Sequence, residues 1–328
     1  MPQLRRDPVV GRWVVIAPER AERPSAFLRA MPESDGGVCP FCPGNEAMTP
    51  PEVLSRRENG EWSLRVVPNR YPALRTEIQL VREGLGLFDG MAGVGAHEVV
   101  IETRDHRATL ADQSVDQFES VLGAWQERMA DLSRDGRLKS VIAFKNQGVS
   151  AGATLPHAHS QLIALPFVPD TLETELRAAR RHFDEKERCI WCDIVAQEVR
   201  EKERIVLESD HVVALSPWAA RSPFELWILP RAHRSSFQSA IGQELRAIGD
   251  ALRTILRKVD VALEKPAFNL FLHTMPLRTP ENDFYHWHLD VKPVLTQQAG
   301  FEWASGCYIN PTPPEEAASF LRQTEVFP

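Results

Sequence analysis

The sequence predicts an α+β fold of two tandem repeats, each a mainly antiparallel sheet with helices packed on it. Three observations carry that prediction. The 328 residues, 43% of them hydrophobic, suffice for one large or two ordinary cores. Short apolar runs of strand length alternate with segments of helical spacing rather than forming one type of element. One series, CxxC, strand, His, amphipathic helix, strand, HxH, also occurs twice in the same order. The expected repeats are residues 1–180 and 181–328.

Arg12 to Pro18 (RWVVIAP) reads as a strand, followed by a charged loop that holds Arg20 and Arg23. Two arginines three residues apart could clamp a phosphate, but without further context they read as solvated charge. Cys39 and Cys42 lie on a Pro/Gly-rich turn, where two sulfurs can converge on one point; Pro43 and Gly44 disfavour the helix that a thioredoxin-type redox pair would open. Residues 62–74 form a strand ending in the polar turn around Asn69, and residues 96–103 form another that leads to His106.

From about residue 114 to 135, Phe118, Val121, Leu122, Trp125, Met129 and Leu132 recur at helical spacing, with Asp112 or Ser114 as cap. Residues 139–145 return as a strand and feed a Gly- and hydroxyl-rich loop, which ends in His157-Ala158-His159-Ser160-Gln161. A strand would place the side chains of His157 and His159 on one face. A helix is expected over 170–186, and then the second CxxC, Cys189 and Cys192, opens the second series. That series continues with a strand over 224–230, His233, a helix over 241–264, a strand over 267–273, and a strand over 285–291 that begins with His286 and His288.

The halves agree in spacing as well as order. Glu98 precedes His106 by eight residues and Glu225 precedes His233 by eight; His106 precedes His157 by 51, and His233 precedes His286 by 53. His97 has no counterpart in that register and is read as a structural or surface histidine. Cys39, Cys42, His106 and His157 thus form one expected ligand set, and Cys189, Cys192, His233 and His286 the other. Two thiolates with two imidazoles are typical of closed, structural zinc. Redox disulfides would not explain why the histidines repeat in step with the cysteines.

This assignment leaves His159 and His288 unspent. Only His159 follows a loop whose amides could approach phosphate, and only His159 has a Gln amide two residues on, at Gln161. An imidazole held neutral at one nitrogen can attack phosphorus with the other, while Gln161 and loop amides stabilise the charge on phosphoryl oxygens. A net charge of −7 argues against a nucleic-acid-coating protein. No stretch of about 18 apolar residues and no Walker-type phosphate loop occur, so the expected protein is cytoplasmic, is not membrane-bound and is not a kinase.

Five stretches, ERAERP (19–24), CPFCPGNE (39–46), VVPNRYPAL (66–74), NQGVSAGATLPHAHSQ (146–161) and GFEWASGCYIN (300–310), together resemble the galactose-1-phosphate uridylyltransferases. These are the duplicated branch of the histidine triad superfamily, and the resemblance spans nearly the whole chain. It implies ping-pong transfer of a nucleoside monophosphate from UDP-glucose to galactose 1-phosphate, through a covalent link to His159, with Gln161 on the phosphoryl group. Arg20, Arg23, Asn69, Asn146, Gly152 and Thr154 would face the nucleotide, Thr154 standing where a Ser is usual. Phe301 and Glu302 would hold the hexose, in a homodimer where that segment reaches the partner's active site. Ala158 replaces the usual Pro of HPHxQ. Some members place iron where Glu175, His273, His286 and His288 fall; the second CxxC here implies zinc instead, leaving Glu175 and His273 as packing or loop residues. GFEWASGCYIN and the paired knuckles also resemble relatives that act on ADP-glucose with phosphate as acceptor. A nucleotide-hydrolysing histidine triad protein is the other class considered.

Overall fold

Strand β1 (Gln3–Arg6) pairs antiparallel with β2 (Trp13–Ile16) in the computed structural model, which describes residues 2–18 and 38–326. Arg20 and Arg23 fall outside the described residues. The chain continues through β3 (Leu54–Glu58), β4 (Glu61–Pro68), the hairpin of β5 (Arg82–Leu85) with β6 (Phe88–Met91), and β7 (Ala96–Ile101). Helix α1 (Val115–Leu132) is capped by Ser114, whose hydroxyl accepts the Gln117 N–H and satisfies a first-turn donor. Then follow β8 (Ser140–Gln147), β9 (His159–Leu165), α2 (Asp170–Lys186) and α3 (Ile190–Glu201). The second half adds β10 (Ile205–Glu208), β11 (Val212–Leu215), β12 (Leu226–Pro230), α4 (Gly242–Ala262), β13 (Phe268–His273) and β14 (His288–Pro293). The chain closes with α5 (Gly300–Ser305), β15 (Tyr308–Asn310) and α6 (Pro314–Gln323).

The class is α+β, as the patterning predicts, but the strands of both halves share a single ladder. Ten of them form one sheet in the order β10-β11-β12-β14-β13-β8-β9-β7-β4-β3, while β1, β2 and β15 form a smaller sheet. The halves join where β8 pairs antiparallel with β13, Asn146 facing Asn269 and Phe144 facing Phe271. Alternation in a sequence fixes which face of a strand is buried, not which edge it offers to which partner.

Helices α1 and α4 cover one face of the sheet. Phe118, Leu122 and Trp125 of α1 and Ile248, Leu252 and Ile255 of α4 are buried against Leu64, Val100, Leu162, Leu270 and Leu289, the expected stripe of an amphipathic helix. The two helices approach closely at Gly249, where a Cβ would stand only 2.9 Å from Phe118 Cβ. The opposite face carries smaller clusters, Phe41, Trp62, Val67, Val99 and Ile101 in the first half, and Trp191, Val213, Leu229 and Tyr285 in the second. His159 lies opposite Ile101 and Gln161 opposite Val99, so the site belongs to this second face.

One local expectation is corrected. Strands β9 and β14 begin at His159 and His288, so His157 and His286 precede them and neither HxH lies wholly in a strand. The second CxxC, unlike the first, opens a helix: Cys189 is the N-cap residue of α3 and Cys192 sits in its first turn. Among the described residues no helix is long and apolar enough to cross a membrane. The close contact of α1 and α4 gives a stability test. Gly249→Val should destabilise the fold by about 1–3 kcal/mol through overpacking, read as a lower denaturation midpoint with native circular dichroism before the transition.

Candidate functional site

Two groups of ligand atoms converge as the repeat predicts. In the first half, Cys42 Sγ lies 3.3 Å from His106 Nδ1 and 3.7 Å from His157 Nδ1, and Cys39 Sγ lies 3.7 Å from His157 Nδ1. A tetrahedron with Zn–S near 2.3 Å and Zn–N near 2.0–2.1 Å has S···N edges of about 3.6 Å. In the second half, Cys192 Sγ lies 3.3 Å from His233 Nδ1 and 3.5 Å from His286 Nδ1, and Cys189 completes the group. The remote nitrogens are also used alike. His157 Nε2 donates to the Thr103 carbonyl at 2.8 Å, His233 Nε2 to Asn282 at 2.9 Å, and His286 Nε2 to Pro230 at 3.0 Å. With protons fixed on Nε2, Nδ1 keeps its lone pair toward the thiols, as a metal ligand requires. All five cysteines are free thiols.

His159 begins β9 with its ring turned back on the chain: Nδ1 lies 2.8 Å from the His157 carbonyl oxygen. A carbonyl only accepts, so Nδ1 carries the proton and Nε2 is left with a lone pair. Burial, reinforced by the nearby Lys145 ammonium, holds the imidazole below its ordinary pKa. His159 and Gln161 line a cleft of about 510 Å³ with Phe41, Asn69, Tyr71 and Thr154. Beneath it, Lys145 Nζ donates to the His159 carbonyl at 3.0 Å and to Glu102 Oε2 at 2.8 Å, and Trp125 Nε1 donates to Ser160 Oγ at 2.9 Å. These bonds anchor both ends of the peptide that follows the histidine.

Asn146 and Gly152 stand next to each other but are not part of the lining of this cleft. Asn146 Oδ1 accepts from Asn269 Nδ2 at 2.8 Å, and Gly152 adopts a φ of +92° in the left-handed region, next to the Asn146 amide. Phe301 and Glu302 are not brought to His159 within one chain. They lie on α5, Phe301 half-exposed, with Glu302 accepting the Ala299 N–H at 2.9 Å. His97, read from the sequence as a structural or surface residue, instead has its Nε2 2.7 Å from Gln161 Oε1 and 3.1 Å from Asn69 Nδ2. The contact arises across the β7–β9 pairing, His97 standing two residues before Val99, the cross-strand partner of Gln161. Lys145 and Glu102 carry no signal in the sequence, because each is one of several polar residues in its strand segment.

In the second half, His288 repeats the posture of His159, with Nδ1 3.1 Å from the His286 carbonyl. Its surroundings differ. The ring stacks on His273 at 4.5 Å and packs against Trp191 and Trp227, and burial followed by the His273 charge lowers its pKa to about 3. His273 in turn bonds Glu175 at 2.9 Å, and Tyr285 donates to the same carboxylate at 3.2 Å. Glu175 and His273 are therefore a buried ion pair on α2 and β13 rather than loop residues. His286 groups with the thiols, and among the described residues the side chains of metal-ligand type gathered at this point are Glu175, His273 and His288.

An α+β fold of two repeats joined in one sheet, with the His159 imidazole and the Gln161 amide lining a cleft, defines the class of protein. Within it, this chain belongs to the galactose-1-phosphate uridyl transferase family: the model of that family's N-terminal domain matches residues 1–169 and that of its C-terminal domain matches residues 175–309. It is 36% identical to an ADP-glucose phosphorylase of Arabidopsis thaliana, over 99% of this chain and 93% of that one. It is 31% identical to the galactose-1-phosphate uridylyltransferase of Thermotoga maritima, over 99% of both. Its fold superposes on the crystal structure of the Arabidopsis phosphorylase with bound ADP-glucose at a TM-score of 0.86, with 35% identity and full coverage of both chains. Against a uridylyltransferase structure the TM-score is 0.78, with 26% identity and coverage of 99% and 98%. The chain is an enzyme of this family.

The buried pair under His159 generates a prediction. Lys145→Met leaves Glu102 charged and unpaired and should cost about 3–5 kcal/mol, whereas Lys145→Met with Glu102→Leu should recover most of that loss. Urea denaturation of the three variants measures both quantities.

Proposed function

We propose that this enzyme moves a nucleoside monophosphate from a nucleotide sugar to a phosphate-bearing acceptor in two displacements at His159. The observation that carries the reading is the Nδ1–H of His159 held by the His157 carbonyl, which leaves the Nε2 lone pair to the cleft. In the first step, Nε2 attacks the α-phosphorus and the phosphorus–oxygen bond to the sugar phosphate breaks, releasing hexose 1-phosphate. In the second, a phosphate oxygen of the acceptor attacks the same phosphorus, and the phosphorus–nitrogen electron pair returns to Nε2. Gln161 donates its amide N–H to the charged phosphoryl oxygens. In this reading Asn69, Asn146, Gly152 and Thr154 serve the nucleotide, and the family resemblance adds Arg20 and Arg23, which lie outside the described residues.

For the finer specificity we favour ADP-glucose as donor and inorganic phosphate as acceptor, yielding ADP and glucose 1-phosphate. Support comes from the higher identity to the phosphorylase, 36% against 31%, and the higher TM-score, 0.86 against 0.78. Transfer from UDP-glucose to galactose 1-phosphate is the second reading, favoured by the description of both matching domain models. The exposed ring of Trp303 beside Phe301 supports a homodimer in which this segment, with Glu302, enters the partner's cleft. We assign zinc to both Cys2His2 groups. With four protein ligands each, these zincs hold the fold and leave no position to activate water.

Incubation with ADP-glucose, followed by intact-protein mass measurement, should show one added adenylyl group on His159, and UDP-glucose none. A uridylyl adduct alone would favour the second reading; no adduct from either, with turnover intact, would refute the covalent route. His159→Gly should lower turnover by roughly 10⁴-fold or more while the protein stays folded. Elemental analysis should give two zinc ions per chain. In Cys189→Ser the value should fall to about one, with a lower thermal midpoint.

A further inference from the structure

Gln161 can stabilise a phosphoryl group only if its NH2, not its carbonyl oxygen, faces the cleft. An amide side chain has both ends nearly alike in shape, so something must choose between them. His97 is placed to do so. It lies on β7 diagonal to Gln161 on β9, with Nε2 2.7 Å from Gln161 Oε1 and Nδ1 3.2 Å from the backbone nitrogen of Ala73. The Ala73 N–H is a donor that cannot reverse its polarity, so Nδ1 must be the bare, accepting nitrogen. In a neutral imidazole the proton then sits on Nε2, and Nε2–H donates to Gln161 Oε1.

The reversed arrangement would turn the Gln161 NH2 toward His97 and require Nε2 to accept. That moves the proton to Nδ1, where it would meet the Ala73 N–H head-on. Asn69 is oriented by the same logic. Its Oδ1 accepts the Tyr71 N–H at 2.8 Å, and its Nδ2, 3.1 Å from a His97 nitrogen that already carries hydrogen, keeps its own hydrogens for the cleft.

We infer that His97 is a positioning residue: anchored by the Ala73 amide, it holds the Gln161 carbonyl oxygen and so presents the Gln161 NH2, together with that of Asn69, to the group being transferred. This rests on the reading of Gln161 as a phosphoryl-binding residue.

Two conservative variants separate this role from a structural one. In His97→Asn the amide oxygen can replace Nδ1 as acceptor for Ala73, but nothing reaches Gln161. In His97→Gln the amide nitrogen can replace Nε2 as donor to Gln161, but the Ala73 contact is lost. Positioning predicts that His97→Asn lowers kcat by about 10- to 100-fold with KM little changed, while His97→Gln stays within about threefold of the parent enzyme. A residue that merely braces the Ala73 segment predicts the opposite order, and that order would overturn the inference. In a Gln161→Ala background, His97→Asn should cost nothing further; a full additive loss would also overturn it. If Gln161→Ala alone leaves kcat unchanged, the phosphoryl-binding reading itself fails. If Gln161→Ala is slow but His97→Asn is not, only the role of His97 is wrong.

Discussion

Convergence of Cys39, Cys42, His106 and His157 on one point is the constraint on which the rest of the first half depends. The apolar cluster on that face of the sheet is small, Phe41 and Trp62 being its only large members apart from strand aliphatics. So little burial could not by itself order the turn that supplies Pro40, Phe41 and Met48 to the wall of the cleft. The proposed zinc would do so by joining three segments distant in sequence. It would also fix the His157 backbone, and the carbonyl of that residue sets the tautomer of His159. One closed group would thus determine both where the cleft wall stands and which nitrogen His159 turns to the cleft.

The second half keeps the ligand group and a cleft of similar size, about 510 Å³, but lines it differently. His288 has the same bond from Nδ1 to the preceding histidine's carbonyl, yet its faces are occupied by His273, Trp191 and Trp227. Nearby, Arg221 is bound between Glu225 and Asp290, all three part of one charged network beneath the ring. What distinguishes the two imidazoles is therefore not the HxH geometry but what the neighbouring side chains leave free. A Gln that offers its NH2 to the cleft stands beside one, and a buried ion network beside the other.

Much of this was legible in the sequence because it rests on chemistry that few residue types supply. Paired CxxC and HxH motifs, eight-residue Glu-to-His spacings and the apolar stripes of α1 and α4 point to ligands, register and core without any coordinates. Helix α2 also falls on the predicted 170–186. What could not be read depends on pairing across the chain. Which strand edges meet, that β9 starts one residue after Ala158, and that His97 reaches Gln161 all follow from cross-strand neighbours that no local pattern encodes. The buried Lys145–Glu102 pair was hidden for a related reason: a charge in a strand segment gives no sign of its partner until the strands are laid side by side.

The order of the large sheet reads outward from its centre as β8-β9-β7 on one side and β13-β14-β12 on the other. These are corresponding strands of the two repeats, and they meet through like edges in an antiparallel pair, with α1 against α4 on one face. That is the arrangement of an isologous twofold interface, in which a surface contacts its own copy. A single repeat standing alone would expose the β8 edge, an open template for strand addition, and its simplest remedy would be to pair with a second copy of itself. The fused chain therefore preserves, inside one polypeptide, the symmetry axis of a dimer. Covalent linkage removes the requirement that both copies remain identical, and so allows the two clefts to be lined differently, Gln161 and Asn69 beside one imidazole and Glu175, His273 and Arg221 beside the other.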